Sequence, residues 1–334
     1  PVSDPEVRRK FEKSWGVSLD PEPGLTTMEM VDAAQIGGIK GYYVMGENPM
    51  MSEPDLLHAR HVMANLDFVL YQDIFMNETG EYADVILPAV SFAEKDGTFT
   101  NSDRRVQLIR PAIQAPGEAR PDWAIIQDLA RRMQKVLGVT SSAGFRFEHP
   151  AEIWREMADL TAPFQGISHK RIEAEDGVHW PCPSEDHPGT AYLFAESFPR
   201  GKGKLTPIAY RPSSELPDEE YPLILSTGRV LYHWHGGTLT RRSKLDDIYP
   251  EALVEIHPRD AEELEITSGD WVKVYSRRGQ IEARTLVTER SPVGTVFIPF
   301  HFVEAAANIL TVDARDPQAK IPDYKVCAIA VEKR

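Results

Sequence analysis

The densest run of residues capable of chemistry is STGRVLYHWHGGTLTRRS, residues 226–243, which follows an apolar run, YPLIL, that reads as a strand. Ser226, Thr227 and Thr238 offer hydroxyls, and Gly228, Gly236 and Gly237 let a ligand approach the backbone. Arg229, Arg241 and Arg242 carry guanidinium forks that grip phosphate through two oxygens at once. This set suits a pyrophosphate or pterin cradle. Tyr232, His233, Trp234 and His235 lie inside it. His233 and His235 are two apart and would share a face on a strand. A zinc site there needs further ligands and none is evident. A buried structural role for His233 and Trp234 is the competing reading.

Three other segments place polar residues where strands end. GENP (46–49) follows the apolar GYYVM; Gly46 permits close approach, and Glu47 and Asn48 supply an acceptor and a mixed donor–acceptor suited to a purine edge, against the plainer reading of a strand-exit turn. Gln72 and Asp73 end the next apolar run, and an Asp there partners the N–H groups of guanine or caps a helix. Residues 93–105 mix Lys95, Asn101, Asp103, Arg104 and Arg105, as a binding segment or a solvated loop. Near the C-terminus, His301 and Glu304 are an acid–base pair without a nucleophile, and Tyr324 and Lys325 offer a hydroxyl and a point charge to a phosphate. No GxSxG, HExxH, Walker A or strand-coupled GxGxxG occurs.

The elements that must hold these residues are legible from periodicity. Helices are expected at 4–15, at 26–36 behind a Thr26 or Thr27 cap, at 53–65 behind Ser52, at 122–138 behind Asp122 and at 150–160. Strands at 41–46, 67–75 and 83–89 with a helix between the first two make a parallel α/β unit, with ligand positions at the strands' carboxyl ends. Residues 162–220 are proline-rich and weakly periodic. From Tyr221 the texture becomes short β-rich runs, including the hairpin WVKVYS-RRG-QIEARTLV, which indicates a closed barrel. The expected division is an α/β domain over 1–150, a connecting segment over 151–220 and a β-barrel domain over 221–334.

Composition narrows the function. The net charge is −14, which disfavours nucleic acid or anionic membrane as a partner. Residues 1–220 hold 22 basic and 35 acidic side chains, whereas residues 221–334 hold 15 and 16, so a polyanionic ligand belongs with the second group. No apolar run reaches membrane-spanning length, and the start, PVSDPEV, is neither a signal peptide nor an initiator Met, so a processed chain or a fragment is expected. Two cysteines, Cys182 and Cys327, with no CxxC, leave no zinc or iron–sulfur site to build.

Taken in order, GENP, QDIF..ET, ADVILPA, EK.G.F.N.DRR.Q, STGR..YHWH and N.LT…DYK resemble the C-terminal part of the molybdopterin oxidoreductases, over about residues 25–331. The stretch VHWPCPSEDHPGTAYLFAESFPRGKG (178–203) is similar to formate dehydrogenase catalytic subunits in particular, while STGRVL.HWH and SRRG are shared with the periplasmic nitrate reductases. The resemblance implies an enzyme part that oxidises formate to CO2 using two molybdopterin guanine dinucleotides on one Mo or W atom. It also implies a barrel of the double-psi type. By position, Gly46, Glu47, Asn48, Gln72, Asp73, Lys95 and Asp122 would hold one nucleotide. Thr227, Gly228, Arg229, Tyr232, His233, Trp234, His235, Gly236, Phe300, Asn308, Tyr324 and Lys325 would line the cofactor from the barrel. Gly236 stands where the family carries Thr, so that hydroxyl contact is missing. No catalytic or metal-ligating residue is assigned here: the resemblance places the metal-binding Cys or selenocysteine, the neighbouring His, the substrate Arg and the 4Fe-4S motif upstream. Implied partners are the N-terminal part of the same subunit and iron–sulfur or NAD/flavin electron-transfer subunits. The implied location is the cytoplasm, with the periplasm as the alternative. A nitrate reductase portion and a non-catalytic cofactor- or partner-binding module are the other functions weighed.

Overall fold

The structure, a computed structural model, describes residues 1–139 and 144–334. From the N-terminus the chain runs through α1 (Pro5–Trp15), α2 (Thr27–Gln35), β1 (Gly41–Met45), α3 (Pro49–Ser52), α4 (Leu56–Ala64), β2 (Phe68–Asp73) and β3 (Val85–Pro88). A middle stretch follows: β4 (Gly97–Thr100), β5 (Arg105–Ile109), α5 (Asp122–Leu137), α6 (Pro150–Leu160), α7 (His169–Glu175) and β6 (Val178–His179). The remainder is β7 (Leu223–Gly228), α8 (Leu245–Ile248), β8 (Leu253–Ile256), α9 (Pro258–Glu263), β9 (Trp271–Tyr275), β10 (Gln280–Val287), β11 (Thr295–Pro299) and β12 (Cys327–Lys333).

Two compact units result, and they cut across the expected consecutive blocks. One holds residues 1–24 and 87–208, the other 25–86 and 209–334. Residues 25–86 join the barrel through specific bonds. Asn308 Nδ2 and Tyr324 Oη both donate to the Ser52 carbonyl, at 3.0 and 2.8 Å. Asp55 N donates to Thr311 O, and Arg315 forks onto Asp32.

In the first unit α1 begins at its Asp4 cap and stops at Gly16 in the left-handed region. The residues 97–109, left without a strand in the sequence reading, form the antiparallel pair β4–β5, to which β6 adds. Residues 162–220 are not merely connecting: α7 and β6 bury Ile172, Val178 and Cys182 with Trp154 and Val106. Their weak periodicity reflects elements too short to repeat. Asp122 is the first residue of α5 and not its cap, which is Pro121.

In the second unit β1 and β2 pair in parallel, Gly41 opposite Phe68 through Met45 opposite Gln72. The intervening helix starts later than expected: Asp55, not Ser52, caps α4, and Ser52 ends the short α3. Thr26 caps α2 in a capping box with Glu29. Strands β7–β12 close into a six-stranded barrel in the order β10-β8-β11-β7-β12-β9. The β9–β10 hairpin forms with Gln280 opposite Tyr275. Alternation sends Val272 and Val274 inward with Leu225, Val254, Ile256, Val296, Ile298 and Ile329, all fully buried. Each such side chain contributes about 1.5–3 kcal/mol. Glu215, in the segment leading to β7, accepts from Arg278 at 2.7 Å and from Ala328 N at 3.1 Å, which fastens that segment to the barrel.

Candidate functional site

The second unit brings together the exits of β1 and β2, the loop after β7, and the segments that follow β11 and precede β12. Gly46, at φ +64°, turns the chain out of β1, and its N–H donates to Gln72 O at 2.9 Å. Glu47 is exposed beyond it. Asn48 is committed within the protein: its Oδ1 accepts from Thr79 Oγ1 at 2.8 Å and its Nδ2 donates to Glu78 Oε2 at 2.6 Å. The amide thus shapes the corner through one of its two donors and one of its two acceptor sites. Gln72 is buried and accepts from the Tyr43 hydroxyl. Asp73 accepts from Ile74 N at 2.6 Å and from the Tyr71 hydroxyl at 3.0 Å.

On the barrel side, β7 ends at Thr227-Gly228. Thr227 is buried; its Oγ1 donates to Tyr324 O at 2.7 Å and its carbonyl accepts from Lys325 Nζ. A Cβ on Gly228 would lie 2.6 Å from the Phe297 ring, which would have to move to admit it. The Arg229 guanidinium lies 4.9 Å from the Trp234 ring centroid and within 3.2 Å of His235 Nδ1. Arg229 and Lys325 both approach the Phe300 ring, each at 5.9 Å, and neither forms an ion pair with a carboxylate among the described residues. Burial pushes the Lys325 ammonium below its ordinary range, and the Arg229 charge adds to the effect. The His235 imidazole is pushed down by burial and by Arg229. Asn308 donates to the Met51 and Ser52 carbonyls, and its Oδ1 is buried without a partner.

Several sequence expectations change here. Residues 229–236 are not a strand, and His235 sits at φ +45°, so His233 and His235 do not share a face. His233 is buried, with Nε2 at 2.6 Å from Tyr249 O and Nδ1 at 3.2 Å from Thr240 Oγ1, which is the structural role. Tyr232 stacks on Tyr249 at 6.2 Å. Among the described residues no cluster of three or more His, Cys, Asp or Glu side chains can hold a metal. His301 and Glu304 are not an acid–base pair. His301 is fully buried, accepts from Val230 N at 3.0 Å and donates from Nδ1 to His235 O, and burial pushes it down to about 4. Glu304 binds Arg241 at 2.7 Å instead. Arg241 also pairs with Asp246, so its charge is matched by two carboxylates, whereas Arg242 donates only to the Thr238 and Met76 carbonyls. Gly236 has room for a methyl, whose carbon would touch Met51 Cβ at 3.4 Å.

Lys95 and Asp122 belong to the first unit, where they bind each other at 2.8 Å beside a cavity of about 360 Å³. The sequence reading missed the Ser52 carbonyl, which carries no side-chain signal, and Glu53, which reads as an ordinary charge near a helix start. It also missed the Tyr43 hydroxyl on Gln72.

Comparison with known proteins gives a consistent result. Residues 14–132 match the family described as "Molybdopterin oxidoreductase", and residues 223–328 match the "Molydopterin dinucleotide binding domain". An F420-dependent formate dehydrogenase subunit alpha of Methanocaldococcus jannaschii is 48% identical over 97% of this chain and 47% of its own length. The F420-dependent formate dehydrogenase 1 subunit alpha of Methanococcus maripaludis is 45% identical over 98% of this chain and 48% of its own. The assimilatory nitrate reductase catalytic subunit of Bacillus subtilis is 39% identical over 99% and 47%. The chain therefore spans about half the length of the curated relatives it matches. Among solved structures, acetylene hydratase from Pelobacter acetylenicus superposes with a TM-score of 0.69 at 18% identity, covering 98% of this chain and 50% of that one; this likeness concerns the fold alone.

Proposed function

The chain belongs to the molybdopterin oxidoreductases, and from that premise we propose that it is the cofactor-binding C-terminal portion of a formate dehydrogenase catalytic subunit. The observation that carries the reading is the pair Arg229 and Lys325, two cations over one Phe300 ring with no carboxylate partner. Both side chains are exposed to solvent, and two like charges beside one ring repel each other until an anion joins them, a charge that a pyrophosphate supplies. The buried Asn308 Oδ1, which has no partner, adds an acceptor to this pair of donors.

When bound, the molybdopterin guanine dinucleotides would supply a redox-active Mo or W centre for the two-electron oxidation of formate to CO2 and a proton. The residues here bind and orient. Arg229 and Lys325 neutralise phosphate. Thr227 and Tyr324, bonded to each other, fix the height of Lys325, and the exposed Trp234 face gives a flat surface for a ring. Asn48 and Gln72 act by holding the strand exits in place, with Glu47 and Asp73 facing the nucleotide. Lys95 and Asp122 are assigned to one nucleotide by resemblance only. The barrel is taken as double-psi on the same ground. The iron–sulfur motif, the metal's protein ligand and the contacts to electron-transfer subunits are assigned to the part of the longer protein beyond this chain. No helix among the described residues is long and apolar enough to cross a membrane, and a cytoplasmic location is proposed.

The test is the full-length protein with Arg229→Gln and Lys325→Gln together. Metal and pterin dinucleotide content are expected to fall at least tenfold, since a charge-assisted phosphate contact contributes about 1.5–3 kcal/mol and two are removed. Full metal and pterin content in the double variant would defeat the assignment. The 39% identity to an assimilatory nitrate reductase supports a second reading, reduction of nitrate with the same cofactor. Viologen-linked assays of the full-length protein with formate and with nitrate separate the two.

A further inference from the structure

A cavity of about 540 Å³ opens in the barrel-bearing unit, walled by α2, β1 and the α3–α4 region. It lies outside the set of residues assigned to the cofactor, apart from Glu47 at its edge. Most of the wall is apolar, from Met30, Val31, Ile39, Val62 and Met63. Two polar groups line it without partners. The Glu53 side chain, only 7% exposed, makes no hydrogen bond or ion pair among the described residues. The Tyr42 hydroxyl is buried and equally unpartnered. Glu47 adds a second negative charge, and no Lys or Arg lines the space.

Buried polar groups in native proteins are nearly always satisfied, and a carboxylate taken out of water costs several kcal/mol unless a donor or cation meets it. An anion is excluded by the two carboxylates. A divalent metal is disfavoured because the remaining wall is hydrocarbon and thioether, and no cluster of three acidic, His or Cys groups occurs among the described residues. What remains is a monocation that donates N–H bonds and carries an apolar body to cover the methionine and valine wall. We propose that this cavity binds an ammonium or guanidinium group on a short aliphatic body, with the Glu53 carboxylate as counter-ion and the Tyr42 hydroxyl as second acceptor. The cation arrives either as a free small molecule or as a Lys or Arg side chain from the part of the longer protein beyond these residues.

The probes are n-butylammonium and n-butylguanidinium, titrated at pH 8 into the 334-residue chain and into the full-length protein, with calorimetry and the carbon resonances of labelled glutamate as readouts. The expected result with the chain is saturable binding at one site, weakened at least tenfold by Glu53→Gln and several-fold by Tyr42→Phe, with tetramethylammonium, which lacks N–H donors, failing to compete. In the full-length protein, Glu53-dependent probe binding identifies a free ligand. Absence of probe binding there, together with a lower melting temperature for Glu53→Gln, identifies a side chain already in the cavity. Binding that is equal in Glu53→Gln, or a full-length protein that neither binds the probe nor loses stability on that substitution, overturns the proposal. The full-length arm decides if the shorter chain does not fold alone.

Discussion

At the scale of single residues, two kinds of unpaired charge define this molecule. Arg229 and Lys325 are cations without an acid, and Glu53 is an acid without a cation. Burial pushes the Glu53 carboxyl up to about 7, with the Glu47 charge adding to it. The groups facing it are Glu47, Tyr42 and Tyr324, and burial pushes both phenols upward as well. The sign follows from the folded pKa lying above the ordinary one. Between about pH 4.5 and 7 the folded chain holds a proton that the unfolded chain has released, so stability falls as pH rises through that window. In the 334-residue chain, Glu53→Gln is therefore expected to add on the order of 2–3 kcal/mol at pH 8 and almost nothing at pH 4. Melting curves at the two pH values measure this; an equal change at both would show that the carboxyl is not held at that cost.

At the scale of elements, the loop after β7 depends on two adjacent glycines with different duties. Gly237 sits at φ +78°, and a Cβ there would lie 2.6 Å from the His301 carbonyl oxygen, itself backbone. Gly236 has ordinary clearance. Gly237→Ala should cost about 1–3 kcal/mol of stability and displace the loop that carries Trp234 and His235. Gly236→Ala should stay within about 0.5 kcal/mol. Urea midpoints of the two variants are the comparison, and similar values would mean that the loop does not need the left-handed turn. The strand exits work on the same logic. Asn48 and Gln72 hold the corner through Glu78, Thr79 and Tyr43 so that the neighbouring Glu47 and Asp73 are presented at fixed positions.

At the scale of the whole molecule, two units with their own cores share one chain that crosses between them three times. The last crossing runs through residues without regular structure, where Leu205, Ile208 and Tyr210 are 89–96% exposed. Limited proteolysis is expected to cut first between about 200 and 212, leaving a fragment that begins near the barrel. First cleavage within β7–β12 would contradict the closed barrel. The chain alone is expected not to oxidise formate. Burial pushes the Cys327 thiol up to about 12, and Cys182 is buried with its sulfur bonded to Arg171 at 3.3 Å, so neither cysteine is presented to a metal. Losing one preorganised electrostatic contact typically costs about 10²–10³ in rate, and no group of three or more His, Cys, Asp or Glu side chains among the described residues can hold a metal. Sustained anaerobic formate-to-viologen turnover by the purified 334-residue chain would refute this.

By itself the sequence determined the strands of the barrel, the β9–β10 hairpin, the parallel pairing of β1 with β2 and the family. Each rests on information local to a few residues: alternation in Val272 and Val274, a glycine at a strand exit, or a motif in order. What only the tertiary structure decided is which polar atoms are spent and which are left over. Asn48, His233 and Arg241 read as ligand groups and His301 as half of an acid–base pair, yet each is engaged by a partner from another part of its unit. Arg229 and Lys325 also read as ligand groups and have no carboxylate partner among the described residues, while Glu53, which read as an ordinary surface charge, and the Asn308 oxygen make no hydrogen bond there. The same holds for the grouping of residues 25–86 with the barrel, which rests on bonds such as Asn308 to Ser52 across 256 positions. Hydrogen-bond satisfaction is a property of neighbours in space, and sequence spacing carries almost none of it.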